Sequence, residues 1–249
     1  MWHPLINFKD QNMLLKFDIS AFTHVGTVRK TNQDHILVNG QIFNEGEVHL
    51  VKQNNCICFV ADGVGGNKAG DFASHFVLDE LRLASDFSSP NIEHMLHRIN
   101  ENLISISKID NNLTGTATTL TGLVIRGNIF KIIHAGDSQI WLLRNDMFFQ
   151  VTKDQVLDEF EKNSPITSYF GGNENFLRFD TDISIQESLP NDIFLICSDG
   201  LFKSLNQKIL KAILIAEKDH GAKAKKILEN CLKTGAEDNT SVILIKQTI

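Results

Sequence analysis

Between Thr116 and Thr152 the chain passes through four apolar segments, TATTLTGLVI, NIFKIIHAG, SQIWLLR and MFFQVT, joined through RGN, GDS and RND. A parallel connection needs a crossover of a dozen or more residues, so joints this short predict antiparallel pairing in a meander. Further strands read out of LLKFDISAFTHVG (14–26), HLVKQNNCICFVADG (49–63), DIFLICSDGL and SVILIK. Between them the apolar period becomes helical. Over 67–84, Phe72, Phe76, Val77 and Leu81 share a face, and after a start at Ser89-Pro90 so do Ile92, Met95, Leu96, Ile99, Leu103 and Ile106. Two more helices are expected at about 207–217 and 221–233, and 153–181 is less regular. Helix pairs alternating with antiparallel strands predict an α+β fold with helices packed outside sheets.

Composition narrows the function. The 249 residues are 42% hydrophobic and 22% charged, ordinary for a globular chain, and the net charge of −6 argues against nucleic acid, whose phosphates demand a basic face. The one basic cluster, AKAKK (222–226), reads as a solvated helix face. No apolar run approaches the ~18 residues of a membrane span. Lys9, Asp10 and Lys16 interrupt the N-terminus, so residues 1–16 read as an extension without a secretory core. Cys56, Cys58, Cys197 and Cys231 form no CxxC pair, which suits buried thiols in a reduced, cytoplasmic chain.

One pattern recurs. FVADGVGGNKAGDFAS (59–74) ends an apolar strand on Asp62 and then supplies glycines; IIHAGDS carries Asp137, FLICSDG carries Asp199, and GAEDNTSVILI sets Asp238 before the last strand. Asp34 follows the first strand across TVRKTNQD. Any single Asp is an ordinary turn or cap residue. If the strands are neighbours, however, these carboxylates converge, and clustered anions call for cations. Oxygen donors without thiolate or imidazole suit Mg²⁺ or Mn²⁺, and glycine lets a backbone carbonyl come close.

With VRKTNQD, ADGVGGNKAGDFAS, GTATTL, HAGDSQ, ICSDGL and EDNTSVILI in this order, the chain resembles the metal-dependent serine/threonine protein phosphatases (the PPM, or type-2C, family) in the compact form usual in bacteria. The resemblance runs from about residue 17 to residue 246 and implies a single catalytic domain over 17–249. It also implies a four-layer α-β-β-α sandwich of two antiparallel sheets flanked by helix pairs. By position, Asp62 resembles the carboxylate bridging two metals, and the Gly63 carbonyl a ligand beside it. Asp199 and Asp238 resemble ligands of the second metal. Asp34 resembles the first-motif aspartate that anchors the centre, and Asp137 with Asp199 the holders of a third, weaker ion. Arg29 stands where the family grips substrate phosphate, and Asn239 looks like a support for Asp238. The implied activity is hydrolysis of phosphoserine and phosphothreonine on proteins through a dinuclear Mn²⁺ or Mg²⁺ centre and metal-activated water. The implied partners are phosphoproteins and a bacterial Ser/Thr kinase whose work the enzyme reverses, and the chain is expected to be a monomer.

The chain departs from that pattern at Gln33, where the motif usually has Glu, and at Gln139 and Gln155, where it has Arg and His; Val64 replaces a His common in eukaryotic members. The segment before ITSYFGG is shorter than the usual flap. Gln33 and the shortened flap are the support for an alternative, a catalytically weak or dead module that binds a partner. Three weaker signals compete. GVGGNKAG fails as a phosphate-binding loop because Ala69 follows Lys68. His94 and His97 read as a solvated helix face. A GDS-type esterase with Ser138 as nucleophile would have only His220 downstream as its base.

Overall fold

The structure is a computed structural model and describes residues 15–64, 68–84, 86–87, 91–161, 164–172 and 180–248. The expected extension up to Leu14, the helix start at Ser89-Pro90, and Gly65, Gly66 and Asn67 of the glycine-rich segment lie outside the described residues.

Two antiparallel sheets face each other. The first contains β1 (Lys16–His24), β4 (Gly46–Gln53), β9 (Gln139–Arg144), β10 (Met147–Gln150), β13 (Ile193–Cys197) and β14 (Thr240–Thr248), in the order β10-β9-β13-β14-β1-β4. The second contains β2 (Asp34–Val38), β3 (Gln41–Phe43), β5 (Asn55–Val64), β6 (Ala117–Thr118), β7 (Leu120–Arg126), β8 (Ile129–Ala135), β11 (Phe170–Gly171) and β12 (Asp182–Glu187). Its main path is β11-β6-β5-β7-β8-β12, with β2 against β5 and β3 against β2. Phe17, Ile19, Ile36, Val60, Leu123, Phe130, Phe194 and Ile243 fill the space between the sheets. There Phe130 and Phe194 meet edge to face across the seam, ring centroids 4.8 Å apart.

Helices close both outer faces. α1 (Lys68–Arg82) and α2 (Asn91–Ile109) press Val77, Leu81, Ile92, Leu96, Ile99 and Leu103 onto Leu37 and Phe59 of the second sheet. α4 (Gln207–Ala216) and α5 (His220–Lys233) press Leu210, Ile213, Leu214 and Ile227 onto Leu195 and Leu244 of the first. The helical spacing of these apolar residues is what makes one face available for burial. Both faces of the central strands are covered, so β13 is buried along its length and reads as a continuous apolar run rather than an alternating one. The result is the expected α-β-β-α sandwich. All four cysteines are buried and unbonded, and among the described residues no helix is long and apolar enough to cross a membrane.

Two expectations are corrected. The segments from 116 to 152 do not form one meander: β7–β8 is a hairpin of the second sheet and β9–β10 a hairpin of the first. The GDS joint crosses between sheets instead. Gly136 takes φ +115° there, a turn denied to most side chains, and a Cβ would lie 2.7 Å from Thr119. The β9–β10 turn also has positive φ at both central residues, Asn145 and Asp146, which keeps that hairpin tight. HLVKQNNCICFVADG is likewise two strands. The chain turns at Asn54 after Lys52 at φ +54°, sending β4 to the edge of the first sheet and β5 to the middle of the second. β2, β3 and β12 were not apparent from periodicity, being three to six residues long.

Candidate metal centre

At one end of the sandwich, strand ends from both sheets come together, and five Asp residues stand at or beside them. Asp34 opens β2 and is the register partner of Asp62 near the end of β5. Asp137 lies in the β8–β9 crossing, Asp199 follows β13 and leads into the short helix α3 (Gly200–Ser204), and Asp238 precedes β14. The convergence shows in the electrostatics: Asp62 feels the charges of Asp34, Asp199, Asp137 and Asp238 together.

Asp34 is fully buried and ties the sheets together. Its Oδ2 accepts hydrogen bonds from Ser198 Oγ at 2.7 Å, just past β13, and from Ser241 Oγ at 2.8 Å, in β14. Its Oδ1 is buried with no partner. A buried unpaired carboxylate oxygen is costly, so the group resists ionising. Burial pushes the Asp34 pKa up to about 7, with Asp199 and Asp238 adding and the two serines opposing. Burial and then the neighbouring carboxylates raise Asp62 well above the usual range. Asp137 is pushed up to about 7, again by burial first and Asp199 next.

The backbone around Asp62 is fixed from two sides. Its N–H donates to Thr119 Oγ1, and its carbonyl accepts from Thr119 N and Thr118 Oγ1, all within 2.9–3.0 Å. Gly63 N–H donates to the Gln33 carbonyl at 3.2 Å, and Ser74 Oγ of α1 donates to the same carbonyl at 2.6 Å. A Cβ on Gly63 would stand 2.2 Å from the Gly70 carbonyl oxygen. Only glycine lets α1 approach the site this closely.

The other half of the site is already neutralised. Lys203 Nζ lies 2.5 Å from Asp199 Oδ2 and 2.8 Å from Asp238 Oδ2, and Arg29 Nε lies 2.8 Å from Asp238 Oδ1. Burial alone would raise Asp238, but Lys203 and Arg29 outweigh it and hold the carboxyl below its usual value. Asp199 stays raised, because burial exceeds what Lys203 returns. Buried Asn239 staples the first motif to β14. Its Oδ1 accepts from Gln33 N at 3.0 Å, and its Nδ2 donates to the carbonyls of Val25 at 2.9 Å and Thr31 at 3.1 Å.

Gln139 and Gln155 also have partners. Gln139 Nε2 donates to Asp154 Oδ2 at 2.8 Å, and Gln155 Oε1 accepts from Gly136 N at 2.9 Å, steadying the turn that carries Asp137. Ser138 is buried against Thr119 Oγ1 at 2.9 Å, while His220 bonds the Leu244 carbonyl among the α5 contacts, so the esterase pairing does not assemble. An open groove of about 600 Å³ runs past Asp137, Asp154, Asp199 and Lys203. A second, of about 530 Å³, is bounded by Val64, Ala117, Ile166 and Tyr169 and shares Asp137, Asp199 and Lys203 with the first.

These donors suit a hard divalent cation: oxygens only, one of them a buried orphan, and carboxyls that give up protons reluctantly without a counter-charge. Among the described residues, no three His, Cys, Asp or Glu side chains stand ready-made around one point, and Asp199 and Asp238 both bond Lys203. Sequence reading missed Lys203, Ser198 and Ser241. The lysine had a signal, its i+4 spacing from Asp199; the serines had none beyond adjacency to motif residues.

Comparison with known proteins agrees with this architecture. The chain is 28% identical to the serine/threonine phosphatase stp of Listeria monocytogenes, covering 91% of this chain and 94% of that one. PppA of Pseudomonas aeruginosa superposes with a TM-score of 0.78 at 27% identity, covering 94% and 98%. The catalytic domain of PstP, solved in complex with two manganese ions, shares the fold with a TM-score of 0.74 at 24% identity, covering 94% and 100%. A family model described as protein phosphatase 2C matches residues 32–237, well over half of the sequence, and the chain therefore belongs to the protein phosphatase 2C family.

Proposed function

We propose that this chain is a protein phosphatase that removes phosphate from phosphoserine and phosphothreonine on proteins and reverses the work of a bacterial Ser/Thr kinase. We assign its ion binding, Mn²⁺ or Mg²⁺, to Asp34, Asp62, the Gly63 carbonyl, Asp137, Asp199 and Asp238, as a centre of two ions with room for a third. The observation that carries this reading is the buried Asp34 Oδ1, unpartnered where five carboxylates converge. Bound ions supply an activated water and neutralise phosphoryl oxygens, the two needs of a slow phosphomonoester hydrolysis. PstP, whose fold this chain shares, was solved with manganese, which supports the choice of ion.

The chain's own residues do the rest. Ser198 and Ser241 hold Asp34 Oδ2 and leave the buried Oδ1 without a protein partner. Thr118 and Thr119 fix the backbone that presents Asp62. Arg29 sits at the rim, its side chain 55% exposed, where a guanidinium can pair with phosphoryl oxygens in a fork that lysine cannot reproduce. The convergence of all five carboxylates speaks against the partner-binding alternative, which has no use for a buried anionic cluster.

The test is phosphate release from a phosphothreonine peptide in millimolar Mn²⁺. We expect turnover by the wild type and its loss in Asp62→Ala and Asp199→Ala. Folded wild-type protein that releases no phosphate would overturn the assignment.

A further inference from the structure

Lys203 is the charged residue of the centre that the sequence reading missed. It lies four residues after Asp199, on the only turn that α3 offers, so the helix places both side chains on one face. Its ammonium does not face solvent alone. Nζ spans Asp199 Oδ2 at 2.5 Å and Asp238 Oδ2 at 2.8 Å, so one cation is shared between two carboxylates. That position is the one a divalent ion held by Asp199 and Asp238 would need. Asp34, by contrast, is held by the hydroxyls of Ser198 and Ser241 rather than by a cation, and its Oδ1 is buried without a partner.

We propose that Lys203 is an internal competitor for the ion held by Asp199 and Asp238: its ammonium occupies that position in the metal-poor protein and must withdraw before a divalent ion binds there. The inference rests on the metal-centre reading above and adds an order to it. The part of the centre around Asp34 and Asp62, which Lys203 does not span, loads first, and the Asp199–Asp238 half loads only when free metal is high enough to displace a tethered cation. Lysine suits the task because its charge rides on a flexible four-carbon stem with rotatable donors, whereas arginine holds a rigid fork. It also has somewhere to go: Lys203 is 36% exposed and lines both open grooves. Competition by a tethered group lowers apparent affinity by the fraction of time the site is free of it.

The experiment is calorimetric titration of metal-free wild type, Lys203→Gln and Lys203→Met with MnCl₂ at one pH, alongside melting curves that verify folding. In wild type we expect two binding steps, the second at least tenfold weaker than the first. In both variants the second step should tighten by at least about tenfold while the first moves less than threefold. Electron paramagnetic resonance gives an independent reading: with two equivalents of Mn²⁺, the variants should show an exchange-coupled pair where wild type shows an isolated ion. Equal second-step affinities in folded wild type and variants would overturn the proposal. So would a variant whose only change is a raised KM for phosphopeptide, which would make Lys203 a phosphate contact instead. A wild type that binds no Mn²⁺ at all would instead defeat the metal-centre reading itself, a different outcome from either.

Discussion

Replacing Gly63 by alanine tests whether close backbone approach, rather than the carboxylates alone, builds the centre. The added Cβ would lie 2.2 Å from the Gly70 carbonyl oxygen and 2.8 Å from that of Gln33, both backbone atoms that cannot rotate away. Moving from 2.2 Å to the 3.4 Å at which ordinary contact begins requires a shift of at least about 1.2 Å between β5 and α1. Overpacking of this kind costs about 1–3 kcal/mol. For a chain of this size that lowers Tm by roughly 2–12 °C. The functional cost is larger, because Asp62 is adjacent and a misplacement of about 1 Å typically removes about 10²-fold of rate. Gly127→Ala is the control. Its φ of +61° makes alanine strained at a cost of about 1–2 kcal/mol, but nothing lies within 4 Å of the new methyl and the hairpin is far from the aspartates. Thermal melts and Mn²⁺-dependent phosphate release should therefore separate the two: both variants melt earlier, and only Gly63→Ala loses turnover and Mn²⁺ affinity. Turnover within twofold of wild type in Gly63→Ala would refute the claim that the α1–β5 approach sets the geometry of Asp62.

Two further outcomes follow from the same geometry. The pKa values of Asp34 and Asp137, pushed up to about 7 from an ordinary 3.8, mean that the folded metal-free protein binds protons the unfolded chain does not. Their contribution to stability is full below pH 3.8 and is lost as pH rises through about 7, at up to about 1.4 kcal/mol per pH unit for each group. A divalent ion replaces those protons, so Mn²⁺ affinity should rise between pH 6 and pH 8. His35 and His220, whose pKa values burial lowers to about 4, oppose the slope in metal-free stability but stay neutral across that interval. Calorimetry across those pH values checks this, and a flat affinity would sink it. Asn239→Ala removes three hydrogen bonds to Val25, Thr31 and Gln33 and should cost about 1–3 kcal/mol, with Tm lower by roughly 2–12 °C and weaker Mn²⁺ binding. Unchanged melting and metal affinity would show that the first motif is held by other contacts.

The two-sheet sandwich was legible because its signals are local: long amphipathic helices announce themselves by period, and β13 and β14 are apolar runs too short for anything but covered strands. What could not be read was which sheet each strand joins. A short joint forces antiparallel direction only if both strands stay in one sheet, and nothing in the letters GDS says that Gly136 sends the chain across the seam. β2 was invisible for a related reason. Its five residues carry too little period to stand out after a polar loop, yet pairing with β5 sets Asp34 opposite Asp62.

The same asymmetry explains the site. Aspartates at strand ends are visible because the strand before them is visible, and five of them make a pattern. Their counter-charges need no such context. Lys203 stands in the largely apolar GLFKSL and Arg29 in a polar loop, and only the fold shows that one ammonium spans Asp199 and Asp238 while Arg29 also reaches Asp238. Anion clusters are therefore readable from sequence more often than their neutralisation, and it is the neutralisation that divides this centre into halves. Asp34 and Asp62 are buried and hold their protons until an ion replaces them, whereas Asp199 and Asp238 already share a cation. Any account of how metal activates this chain has to begin with that difference, because an ion gains most where the protein has supplied least.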